Sequence, residues 1–285
     1  MTDAHCHPYN LIRMDPKYES KALGIINAEQ ERLPADIAYA ACSGNREQFE
    51  YNEAIIEKIG KKIRNVSDTN KIVAVRCYGI HPQFPRYSAQ YSKGKKDLLS
   101  FLQEITAEGR LDAIGETGFD LFDDQHRETE KKQDELFIHH LEIAVKQGLP
   151  MVIHVRRAMH KIFPHTKNLK KLPAVIFHSW PGTPGEGESL LRRGINAYFS
   201  FGSQVVNNHK TAIRSVVKFP IDRLLLETDA PYQPIRGKAN SSWADLRIIS
   251  RAITAMRRES GQPEITAQEF ESIIDANFKS AYGVS

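Results

Sequence analysis

The sequence predicts an α/β protein built as a single (β/α)8 barrel of the TIM type over residues 1–285, and three observations predict it. Short β-like apolar runs alternate with longer helical patterns along the whole chain, as repeated βα units do. The runs number eight. The chain has 285 residues, close to the roughly 250 of a closed barrel, and no Pro- or Gly-rich linker or low-complexity tract marks a domain cut.

In chain order the predicted strands are Thr2–His7, Ile37–Ser43, Ile72–Gly79, Leu111–Glu116, Pro150–His154, Ala174–His178, Asn196–Ser200 and Leu224–Asp229. Helical stripes lie between them. Phe49, Ile55, Ile56, Ile59 and Ile63 recur at three- and four-residue spacing, as do Leu136, Phe137, His140, Leu141, Ala144 and Val145. Gly148 stands where a left-handed cap would close the second of these, and Pro150 prevents continuation. Thr266-Ala267-Gln268-Glu269 has the form of a capping box and opens a last helix. Two segments rich in turn formers, Trp180–Gly185 and Pro231–Gly237, directly follow predicted strands, at the barrel end where active sites form.

Composition narrows the partners. Apolar residues make up 41% and charged residues 26% of the chain, enough for a large core. The net charge of +4 permits an anionic partner but is far from a basic nucleic-acid arm. No uncharged run approaches membrane-spanning length and no secretory leader pattern is present, so a cytoplasmic protein without an obligate protein partner is expected. Cys6, Cys42 and Cys77 form no metal motif and read as small buried residues in a reducing compartment.

His5 and His7 lie two apart on the first strand, so both imidazoles face one side. The pair is weak evidence alone. Further donors recur at the ends of later strands: Glu116, His154, His178 and Asp229. Strand ends on one rim of a closed barrel converge on one pocket. Four imidazoles and two carboxylates exceed what a single four-coordinate ion needs; they suit two divalent cations bridged by Glu116. The donor types admit Mg2+, expected first, with Zn2+ or Mn2+ as alternatives. Glu227, two before Asp229 on an extended segment, is expected to share its face.

At this point the motifs resemble a known family. Asp3-Ala4-His5-Cys6-His7, Gly79-Ile80-His81-Pro82, Gly115-Glu116-Thr117-Gly118-Phe119-Asp120, Ile153-His154-Val155-Arg156 and Leu226-Glu227-Thr228-Asp229-Ala230-Pro231-Tyr232 are similar, in content and order, to those of the TatD family of metal-dependent deoxyribonucleases. The resemblance implies an amidohydrolase-like barrel with a dinuclear site that hydrolyses DNA phosphodiesters, from strand ends and with single-stranded DNA preferred. It implies His5, His7, Glu116 and Asp229 on one ion and Glu116, His154 and His178 on the other. It also implies His81 and Glu227 near the scissile group, which makes Glu116, Asp229, Glu227 and His81 the expected catalytic set.

Two positions depart from the family pattern: Gln83 replaces a second His, and His178-Ser179-Trp180-Pro181-Gly182 replaces the commoner His-Cys-Phe-Ser-Gly. Both bear on the substrate rim, where Arg156 is the expected phosphate contact and Trp180 and Tyr232 the expected stacking residues. The remaining histidines, His126, His139, His140, His160, His165 and His209, are expected on helix faces or in solvent. The lysines at 58, 61, 62, 93, 95 and 96 read as solvated surface. The alternative function is hydrolysis of a small ester, lactone, amide or phosphoester on the same metals, although amidohydrolase barrels of that kind often carry a carboxylated lysine where this chain has Glu116. A non-catalytic barrel is disfavoured, since every expected ligand is present.

Overall fold

A computed structural model describes residues 1–14, 36–64 and 71–284. Eight strands form one all-parallel sheet in sequential order: β1 (Thr2–Cys6), β2 (Asp36–Ser43), β3 (Lys71–Tyr78), β4 (Ala113–Asp120), β5 (Met151–Arg156), β6 (Val175–Phe177), β7 (Ala197–Phe201) and β8 (Leu224–Leu226). Every adjacent pair from β1 to β8 is parallel. The seam between first and last strands is fastened just beyond β8, where Asp229 N donates to His5 O at 2.9 Å and His7 N to Ala230 O at 2.7 Å. The sheet is therefore a barrel, and the helices lie between its strands.

The principal helices are α1 (Arg46–Arg64), α2 (Ser88–Ala107), α3 (Glu130–Gln147), α4 (Pro184–Arg192), α5 (Lys210–Lys218), α6 (Asp245–Glu259) and α7 (Ala267–Tyr282). Of the first predicted stripe, Phe49 and Ile55 are buried, while the side chains of Ile59 and Ile63 lie outside the described residues. In the second, Leu136, Phe137, His140, Leu141 and Ala144 are buried along α3. Gly148 caps that helix at φ 66°, and the Thr266–Glu269 capping box opens α7 as expected. A second box, Thr183 with Glu186, starts α4 beside Pro184, which preserves the φ a first helical turn needs.

The core divides in two. Bulky side chains such as Phe119, Phe137, Phe177 and Phe199 pack between strands and helices. Smaller strand residues, including Ala4, Ala40, Cys42, Val75 and Cys77, cluster separately with Phe278 and Tyr282 of α7. Tyr282 hydroxyl donates to Ala4 O at 2.7 Å and ties that helix to β1. All three cysteines are free and buried, and among the described residues no helix is long and apolar enough to cross a membrane.

Two predicted strands differ from the observed ones in ways that matter for the site. Glu116 does not end β4; the strand continues to Asp120, and its pairing with β5 shifts between Ile114 and Thr117, so Glu116 sits at an irregularity inside the strand. The shift brings β4 and β5 very close, and only glycine fits: a Cβ on Gly118, whose φ is 142°, would stand 2.0 Å from His154 O. Gly79 is tight for the same reason, since a Cβ there would stand 2.7 Å from Glu116 O. At the other end, β8 stops at Leu226 because Asp229 adopts φ 53°, which no extended strand sustains.

Candidate metal centre

His5 lies in β1, and His7 follows directly after its end. Their Nε2 atoms meet 3.1 Å apart, as alternation of side chains predicts. His5 Nε2 lies 3.3 Å from Glu116 Oε2 and 3.6 Å from Asp229 Oδ1; His7 Nε2 lies 3.3 Å from Asp229 Oδ1. Donors about 2.1 Å from one ion stand roughly 3.0–3.4 Å apart. Three of the quartet's distances fall in that range, while His5 to Asp229 at 3.6 Å and His7 to Glu116 Oε2 at 3.9 Å are slightly wider.

Glu116 turns its other oxygen to a different group. Oε1 lies 2.8 Å from His154 Nδ1, 3.3 Å from His81 Nε2 and 3.8 Å from His178 Nε2. One carboxylate thus faces two donor clusters. The sequence expected His178 on the His154 side; here the tight group is His81, Glu116 and His154, and His178 groups with His5 and Asp229. The His5 and His178 rings stack at 3.7 Å, which explains the regrouping.

Charge in the pocket is strongly unbalanced. Burial works against ionising Glu116, yet His81, His5 and His178 hold its carboxyl well below the usual range. Against the cost of burial, Glu227, Glu116 and Asp229 push His178 up to about 10. Three buried carboxylates therefore recruit a proton onto an imidazole, and a divalent cation would satisfy the same demand. The donor set fits a metal in chemistry and in spacing.

Neighbours hold the donors from behind. Glu227 Oε2 accepts from His178 Nδ1 at 3.0 Å, while Oε1 accepts from Ser179 N and Oγ at 2.9 and 2.8 Å. Glu227 and Asp229, expected to share a face, both reach the His178 ring, Glu227 at Nδ1 and Asp229 Oδ2 3.8 Å from Nε2, with Asp229 in the left-handed region at φ 53°. Gln233 Nε2 donates to Asp229 Oδ2 at 2.8 Å. Asp3 accepts from Thr228 N, Thr228 Oγ1 and His5 N, and its burial pushes the carboxyl up to about 7.

A cleft of about 730 Å³ opens above these groups. Arg156 and Tyr232 line it, as do His81 and His209. Tyr232 is 45% exposed and meets the His7 ring edge-on at 5.3 Å. Trp180, expected as a stacking residue, is corrected: it is 1% exposed, packs against Phe177, Phe199 and Phe219, and donates Nε1 to Ser215 Oγ. It has no face to offer a base.

Sequence reasoning missed three contributors. Asp120 is buried and accepts from Gln83 Nε2 at 2.7 Å, with His154 Nε2 3.4 Å away. His140, which the sequence places in an apolar helical stripe without assigning it a role, is fully buried; it donates Nδ1 to Leu136 O and accepts from Ile80 N at Nε2, which fixes the loop carrying His81. His209 reaches the cleft from the start of α5. Asp120 had a signal, its place at the end of the Gly-Glu-Thr-Gly-Phe-Asp run. His140 had its place in an apolar stripe, which signals burial but no partner, and His209 had none.

Buried imidazoles and carboxylates gathered at the C-terminal mouth of a β/α barrel define a metal-dependent hydrolase. Comparison with known proteins makes the class specific. The TatD-related DNase family profile matches residues 2–283, and the chain belongs to that family. It is 25% identical to a metal-dependent hydrolase of Buchnera aphidicola over 100% of this chain and 99% of the relative. It is 27% identical to the 3'-5' ssDNA/RNA exonuclease TatD of Shigella flexneri over 73% of this chain and 79% of the relative. Among solved structures, YjjV, a TatD homologue of Escherichia coli K12, superposes with a TM-score of 0.76 at 22% identity, covering 100% of this chain and 98% of the other.

Proposed function

We propose that this hydrolase is a cytoplasmic deoxyribonuclease that uses two divalent cations to trim single-stranded DNA from its ends. The observation that carries the reading is Glu116, whose two oxygens face separate clusters of imidazole and carboxylate donors at the floor of one open cleft. His5, His7 and Asp229 with Glu116 Oε2 would hold one ion; Glu116 Oε1 with His154 and His81 would hold the other, and His178 lies near enough to both to serve either. When bound, such ions supply Lewis acidity at a phosphoryl oxygen and a more acidic water.

The residues of the chain do the rest. Asp229, oriented by Gln233, receives a proton from the attacking water at Oδ2. Glu227 does not line the cleft; it fixes the tautomer of His178 and acts through that ring. Arg156 binds a phosphate oxygen, and Tyr232 stacks on the terminal base. A walled barrel mouth admits one strand end more readily than a stiff duplex. The relative named as an ssDNA/RNA exonuclease supports this substrate class.

The test compares an end-labelled linear oligonucleotide with a closed single-stranded circle at equal metal and salt. Degradation of the linear molecule alone is expected. Equal loss of both would overturn end dependence, and cleavage of neither beside robust hydrolysis of a small ester would overturn the nuclease reading.

A further inference from the structure

Arg156 and Arg157 are consecutive at the end of β5, and consecutive side chains on an extended strand leave on opposite faces. Here they do not diverge. Arg157 turns into the left-handed region at φ 55°, and its guanidinium carbon comes within 4.6 Å of the Phe122 ring centroid, on which Arg156 sits at 3.5 Å. Arg157 Nη1 also donates to Phe122 O at 2.8 Å. A left-handed backbone is unfavourable for any residue bearing a Cβ, and two like charges on one ring repel.

No carboxylate repays this arrangement in full. Arg156 reaches Asp120 Oδ2 only at 4.0 Å, and that oxygen already accepts from Gln83. Among the described residues, Arg157 has no carboxylate within ion-pair distance. Both arginines are exposed, Arg156 inside the cleft that holds Glu116 and His154, Arg157 beyond Phe122 and outside it. Two planar cations without a full carboxylate partner, held on a common ring with one inside the cleft lining and one outside it, suit a polyanion whose charges repeat along a chain.

We infer that Arg156, Phe122 and Arg157 form a subsite for the sugar-phosphate backbone of a single strand, with Arg157 binding a phosphate next to the one presented to the metals. The inference rests on the proposed nuclease reading and assigns the direction in which the bound strand leaves the cleft, along the end of β5. The strained backbone of Arg157 places a second guanidinium on the Phe122 ring outside the cleft lining, suited to a substrate longer than one phosphate.

The test measures binding by the metal-loaded protein of fluorescein-labelled oligothymidylates with phosphorothioate linkages, two and six nucleotides long, across a salt series. Wild type is expected to bind the six-mer more tightly than the two-mer. Arg157→Gly and Arg157→Gln should each weaken six-mer binding roughly three- to tenfold and lower the slope of log affinity against log salt by about 0.7, the value for one lost contact to a single strand. Arg157→Gly should also hold or raise the melting temperature, because glycine relieves the left-handed position. Unchanged six-mer affinity and salt slope in both variants would overturn the subsite, and so would a fall in melting temperature in Arg157→Gly, which would mark a structural role. Failure of the nuclease reading looks different: wild type itself would show neither length-dependent binding nor cleavage of unmodified strands.

Discussion

The two sides of Glu116 are built differently. On the side of β1 and β8, His5 is fully buried and stacked on His178, and each donor has its own brace: Asp3, itself bonded by Thr228, accepts from His5 N, Glu227 accepts from His178, and Gln233 donates to Asp229. On the side of β3 and β5, His81 is 31% exposed on a loop, and Arg156 is 44% exposed at the rim. One half is braced by side chains drawn from distant parts of the chain, and the other borders the open cleft. Rigidity on one side and access on the other is the arrangement expected when one half holds position and the other meets substrate.

Among the described residues Glu116 is the only carboxylate that faces both halves, so Glu116→Gln should break the comparison altogether. Loss of about a thousandfold in turnover is expected with the circular dichroism spectrum unchanged, beyond the 10- to 100-fold typical of outer partners. Turnover within tenfold of wild type in the folded, metal-loaded variant would show that the two clusters do not share this residue.

The open half depends on His140, and acid should expose that dependence. Burial pushes the His140 ring down to about 4. Because the folded value lies below the unfolded one near 6.5, its contribution to stability is complete above pH about 6.5 and is lost as pH falls towards about 4. Over that window it should cost on the order of 3 kcal/mol. Denaturant titrations should show a smaller fall for His140→Gln, which keeps a donor and an acceptor without a titrating ring. Parallel pH profiles for both proteins would remove His140 from the account.

The braced half should respond more mildly to Glu227→Gln, which leaves volume intact but withdraws the charge facing His178. Metal affinity by calorimetric titration is expected to fall about 10- to 100-fold, with two ions still bound at saturation. Saturation at one ion in wild type would sink the two-cluster reading, and unchanged affinity in the variant would show that His178 needs no orienting partner.

Much of this was legible in the sequence because barrel strands are short apolar runs punctuated by helical stripes, and all eight appear where those runs stand. The donors were legible for a chemical reason: polar ligands at the close of apolar segments are costly unless something binds there. What stayed hidden depends on backbone detail. Glu116 was expected at a strand end; Gly115 and Gly118 instead let β4 approach β5 and continue to Asp120. The φ of 53° at Asp229, which ends the extended segment, had no signal in the residue types. Trp180 followed a strand as an exposed loop residue would, but the turn after His178 folds it back into the aromatic core. His140 fell in an apolar stripe like any core residue, and its partner Ile80 lies 60 positions away, beyond any local pattern.

The seam between β1 and the segment after β8 has one further consequence. Thr228 and Asp229 bond to Asp3 and His5 across 225 positions of chain, at the same place where His5, His7 and Asp229 gather. The proposed ion-binding floor and the last stitch of the barrel are therefore one piece of structure. A growing polypeptide carries His5, His7, Glu116 and His154 early, yet it has no complete ion-binding floor until the segment around Asp229 arrives and locks against the first strand.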